Sequence, residues 1–202
     1  MPSSGGLRHV IRANNVPEPS TRRNGSSGPA SARADQHTNH PESPAHSQVP
    51  IEPYPHVAHD LLAYAGQLAV RPDSAYLPFD LVVRDDASPR DLLRTVTGAG
   101  RLLSTMLAAS DPSVRAWHWG PTDASGFAAL GVNETLVHTY DIAEGLGIHW
   151  HPPRSLCTAV LTRLVPHAPA GNPVQVLLWS TGRTDLPGRP RPTSWVLEAA
   201  IE

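Results

Sequence analysis

Apolar side chains recur at helical spacing from Pro55 onward and are nearly absent before it. Between His56 and Val70, the set Val57, Leu61, Leu62, Tyr64, Ala65 and Leu68 predicts an amphipathic helix, with Pro72 just past its end. Tyr76 to Arg84 is short and β-branched and carries Pro78, so it reads as an extended connector. Ser88-Pro89-Arg90-Asp91 then opens a second helix with a hydroxyl cap, a proline at the first helical position and a carboxylate in the first turn. Leu92, Leu93, Val96, Leu102, Leu103, Met106 and Leu107 form its apolar face, and Ser110-Asp111-Pro112 stops it. A loop with Trp117, His118, Trp119 and Gly120 precedes a third helix that starts near Asp123 or Ser125 and runs to Gly145-Leu146-Gly147. Two shorter helices follow, over about 153–165 and about 173–181, and Trp195-Val196-Leu197 reads as a short strand or irregular closing segment. The pattern predicts an all-α domain of about five helices.

Residues 1–50 differ in kind. Pro, Ser, Asn, Arg, Gly and His dominate, and after Ile11 almost no large apolar residue occurs apart from scattered Val. Such a stretch cannot bury enough surface to offset its ordering entropy, which predicts a disordered segment over 1–50 and a helical domain over 51–202. Its histidines, His9, His37, His40 and His46, have no regular spacing.

Charge and cysteine content narrow the function. All 16 basic residues are arginine, and with 22 Pro this composition matches the codon usage of a GC-rich genome. A net charge of -2 with no basic stripe gives no reason to expect nucleic acid or an anionic membrane as partner. The single cysteine, Cys157, excludes an internal disulfide and a thiolate zinc cage. With neither an apolar leader nor a stretch long enough to span a membrane, a soluble, cytoplasmic protein is expected.

The candidate chemistry lies on the third predicted helix. Glu134 and His138, four residues apart, leave one helical face a turn apart, which is metal-ligand spacing, and Asp141 extends the stripe. The same spacing also occurs in solvated surface pairs. The cluster His56-Val57-Ala58-His59-Asp60 offers a ligand from another helix, and three His/Glu ligands with an open position make a catalytic rather than a structural zinc arrangement. Asp141 or Asp60 is placed to accept from an imidazole N–H. His59 and His118 read as surface or loop residues, and Cys157 as a small buried apolar residue. Arg183 and Arg189 are candidates for binding the carboxylates of a thiol cofactor or substrate, against the alternative of solvated loop arginines.

The string Gly131-Val-Asn-Glu134-Thr-Leu-Val-His138-Thr-Tyr-Asp141, with His56-Val-Ala-His-Asp60 upstream, resembles the mycothiol-dependent maleylpyruvate isomerase family of the DinB-like superfamily. Trp150-His-Pro-Pro-Arg154, Leu177-Leu-Trp179-Ser-Thr-Gly182-Arg183 and Leu186-Pro-Gly-Arg189-Pro190 also resemble actinobacterial members, so the likeness spans about residues 55–195. It implies a DinB-like four-helix bundle holding a divalent metal, usually zinc, with His56, Glu134 and His138 as ligands; His59 stands where the family commonly has an acidic residue, so the first ligand slides between His56 and His59. The family's first helix should precede residue 45, where this chain has no helical periodicity, so that helix is degenerate or missing and the last helices are additions. An apolar groove left open there implies a homodimer or marginal stability. The activity implied is a thiol-dependent isomerase or S-transferase, with mycothiol as thiol cosubstrate and a small organic molecule as substrate. The alternative is a non-catalytic helical remnant or binding module without a productive metal site.

Overall fold

The computed structural model describes residues 10–12 and 53–201. Helices α1 (Pro53–Val70), α2 (Pro89–Ala109) and α3 (Ala124–Gly145) pack on one another; α4 (Arg154–Leu164) lies against α3 and α5 (Pro173–Ser180) against α4. The described residues are therefore mostly helical. Three of the helix starts, those of α2, α3 and α5, follow from side-chain caps. At α2, Ser88 accepts from the Asp91 amide while Asp91 accepts from the Ser88 amide, a reciprocal capping box with Pro89 in the first turn. At α3 the Asp123 carboxylate accepts from the Gly126 amide at 2.8 Å, and at α5 Asn172 accepts from the Val174 amide.

Leu61, Leu68, Leu103, Phe127, Leu130, Leu164 and Leu177 fill the core between these helices. Gly131 lets the first three helices close: a Cβ there would lie 2.6 Å from the Leu103 side chain and 3.2 Å from that of Leu61. Tyr64 packs against Phe127 and His56 against His138. As one sequence number rises the other falls, so α1 and α3 run antiparallel and face each other along a seam. The outer side of α2 leaves Leu93 and Leu102 exposed.

Two small sheets accompany the helices. Strands β2 (Ala116–Trp117) and β3 (Pro121–Thr122) pair antiparallel across the Trp119 loop that the apolar pattern left without structure. Strand β1 (Val10–Arg12) pairs antiparallel with β4 (Ser194–Val196), Ile11 opposite Trp195. Trp195 thus lies in a strand, and three residues of the compositionally polar segment are its partner. The remainder of residues 1–50, including the four upstream histidines and the stretch where a first bundle helix was expected, lies outside the described residues. Among the described residues no helix is long and apolar enough to cross a membrane.

Candidate metal centre

The α1–α3 seam carries a polar layer at one end. His56 and Asp60 leave one face of α1, a turn apart, and Glu134, His138 and Asp141 leave one face of α3. One ligand atom from each of His56, Glu134 and His138 lies within 4.8 Å of the others; among the described residues this is the only such group of three or more His, Cys, Asp or Glu. Glu134 Oε2 is the hub, 3.3 Å from His138 Nε2 and 3.6 Å from His56 Nε2. Ligands bound tetrahedrally to zinc at about 2.0–2.1 Å are separated by about 3.4 Å, so these spacings suit one shared ion. The donor set fits as well: one carboxylate and two imidazoles leave a divalent ion with one net positive charge and room for an anionic ligand. The Glu134 side chain is 9% exposed, that of His138 17% and that of His56 54%, so the site is open from the α1 side.

Electrostatics follow from that geometry. Burial raises the Glu134 carboxyl, but His138 and His56 outweigh it and hold it at about 2. His56 is raised, chiefly by its bond to Glu134. Burial favours the neutral ring of His138, yet Asp141 and Glu134 lift it to about 9. Asp60, with one oxygen 3.4 Å from His56 Nε2, is pushed up to about 7 by burial and by the charge of Glu134. In the metal-free protein Glu134 thus favours the protonated form of both rings, so protons compete for the nitrogens that would ligate a metal.

His59, the other candidate for first ligand, is not in the group. Its Nδ1 accepts from the Leu81 amide at 3.2 Å and its ring faces Phe79, so it fastens the 71–88 connector to α1. His118, expected to be a surface or loop residue, lies in the β2–β3 loop but is buried: it hydrogen-bonds the Tyr76 hydroxyl through Nδ1 and packs edge-on to Tyr64 and Phe127. Burial follows because the β2–β3 loop folds onto α1 and α3 rather than into solvent, and this pairing had no local signal. Cys157 is fully buried on α4, and burial pushes its thiol up, as suits a core residue rather than a nucleophile.

Beside the polar layer lies a cleft of about 440 Å³ whose walls include Asp141, Glu144, Arg183, Arg191 and Trp195. Arg183 reaches it and Arg189 does not: the Arg189 guanidinium sits 5.8 Å over the Trp179 ring. Arg191 lines the cleft wall. Arg189 and Arg191 are separated by a single proline, and Arg189 is held in a bridge with Leu186.

Residues 54–143 match the family model described as the mycothiol maleylpyruvate isomerase N-terminal domain, the family that the sequence resembles. The matched stretch contains His56, Asp60, Glu134, His138 and Asp141 and stops short of α4, α5 and the cleft arginines. No curated protein and no solved structure matches the chain.

Proposed function

We propose that the chain is a divalent-metal-binding protein of DinB-like helical type, with His56, Glu134 and His138 as protein ligands and zinc as the ion they suit best. The observation that carries this reading is the convergence of two Nε2 atoms on Glu134 Oε2 at 3.3 and 3.6 Å. The chemistry such an ion supplies is a thiolate at neutral pH, because a thiol on zinc is deprotonated outright. The open His56 side leaves space for a small thiol, and the match over residues 54–143 supports mycothiol as that thiol. Attack of the thiolate on a small organic substrate would make the protein an isomerase or S-transferase. Arg191 and the remaining N–H groups of Arg183 line the neighbouring cleft, where an anionic part of the thiol or substrate would be bound.

A second reading has its own observation. Glu134 already bridges two imidazole rings without a metal, so the triad is also a workable ion-pair network, when those rings are protonated, tying α1 to α3 in a non-catalytic binding module. Elemental analysis of the purified full chain separates the two. The metal reading expects one equivalent of zinc, lost in His138→Ala because two ligands cannot hold a tetrahedral ion tightly. A wild-type protein that stays metal-free after incubation with zinc supports the network instead.

A further inference from the structure

Arg183 lies forty residues beyond the stretch that matches the family model, yet it reaches into the metal centre. Its Nη2 donates to Asp141 Oδ2 at 2.8 Å and its Nε to Oδ1 at 3.2 Å, a bidentate fork, while Nη1 donates to the Thr181 carbonyl at 2.6 Å. The guanidinium lies 5.5 Å over the ring of Trp195 on β4, and the side chain is only 14% exposed. Asp141 Oδ2 is in turn 3.2 Å from His138 Nδ1. That nitrogen is buried and has no hydrogen-bond partner, so its contact with Asp141 is an ion-pair approach. The backbone is shaped for this arrangement. Gly182 has φ 74°, and a Cβ there would meet Trp195 at 2.8 Å and the Pro192 carbonyl at 2.9 Å.

We propose that Arg183 is a positioning residue of the metal centre: by clamping both oxygens of Asp141 it holds that carboxylate against His138 Nδ1, which leaves Nε2 turned toward Glu134 and the ion. An imidazole ligates through one nitrogen, and the partner of the other sets the tautomer and ring orientation. Asp141 alone is poorly suited to this task. It sits near the end of α3 with 31% of its side chain exposed, so without a clamp its carboxylate would rotate into water. The fork fixes it because a planar guanidinium engages both oxygens at once. Burial raises the Asp141 carboxyl, but His138 and Arg183 outweigh it, consistent with a carboxylate held ionised between the two. The role differs from binding a substrate carboxylate, since that fork is already filled by Asp141. It also makes the C-terminal segment, through Trp195 and the Gly182 turn, part of the support of a site whose ligands all lie on α1 and α3.

The inference rests on the metal reading, and one experiment tells the two apart. Zinc affinity is measured by competition with a chelating dye on the full chain, and the absorption of the cobalt-substituted protein reports ligand geometry. Arg183→Ala is expected to weaken zinc by about 10–100-fold and to alter the cobalt spectrum, as loss of such outer partners does. Arg183→Lys, which keeps the charge but not the fork, should fall between it and wild type, and serves alone if the alanine variant does not fold. Asp141→Asn should lose a similar amount, and adding Arg183→Ala to it should cost nothing more, because both act through one contact. Wild-type affinity and spectrum in the Arg183 variants, or additive losses in the double variant, would overturn the inference while leaving the metal site standing. A wild-type chain that binds neither zinc nor cobalt would overturn both.

Discussion

At the scale of single residues, the pair Glu134 and His138 was legible because an i, i+4 spacing fixes a shared face without any knowledge of the fold. The third member of the group was not. His56 and His59 stand three apart at the start of α1, and either can be turned toward α3 by a helix of uncertain rotation. What separates them is a contact 22 residues away in sequence, the Leu81 amide donating to His59 Nδ1. That bond belongs to the path of an irregular connector, which no periodicity encodes. It also yields a prediction. His59→Ala should keep a full equivalent of zinc and lose about 0.5–1.5 kcal/mol of stability, the net worth of one such hydrogen bond, measured by urea unfolding with zinc analysis on the same sample. Loss of zinc in His59→Ala with retention in His56→Ala would invert the ligand assignment.

At the scale of elements, helix positions follow from caps and stripes, and observed bounds fall within a few residues of those the spacing predicts. The sheets do not follow in this way, since β1–β4 and β2–β3 depend on partners whose pairing is set by the assembled helices. The start of α3 shows how elements are fastened to one another. Arg163 of α4 donates through Nη2 to the capping carboxylate of Asp123 and to the Ala199 carbonyl, and through Nη1 to the Glu198 carbonyl. Gly126 makes room for this: a Cβ there would lie 2.6 Å from Arg163 Nη2, 2.6 Å from Thr122 Cγ2 and 3.0 Å from the Ala199 carbonyl. The last of these is backbone and cannot swing aside. Gly126→Ala should therefore destabilise the fold by about 1–3 kcal/mol despite the gain in helix propensity. Zinc affinity of the folded fraction should be unchanged, because Glu134 lies two turns farther along α3, about 12 Å away. Unfolding curves together with dye competition check both halves; a stabilised Gly126→Ala would show that the packing around the cap is loose.

For the whole molecule, the same polar layer ties stability to pH and to metal in opposite ways. His138 is raised from 6.5 to about 9 in the metal-free fold, so its contribution is complete below about 6.5 and is lost as pH rises through about 9. Asp60, raised from 3.8 to about 7, acts in the same direction: its contribution is complete below about 3.8 and is lost as pH rises through about 7. Glu134 acts in the other direction: lowered from 4.5 to about 2, it contributes above about 4.5 and loses that contribution as acid approaches about 2. The chelator-treated protein should therefore be most stable near about pH 4 to 4.5 and should weaken from there toward pH 9. Zinc reverses the alkaline limb. It competes with the protons on His56 and His138, so affinity should climb across the same interval rather than level off at the ordinary imidazole range near 6.5. Binding adds RT ln(1 + [Zn]/Kd) of stability, about 4 kcal/mol at a thousandfold excess over Kd. Melting temperatures recorded from pH 5 to 9 with chelator and with excess zinc should thus diverge as pH rises, the first set falling while the second holds or increases. Two parallel curves would mean that protons and metal do not share the His56–Glu134–His138 nitrogens, and the site would have to be sought elsewhere on the chain.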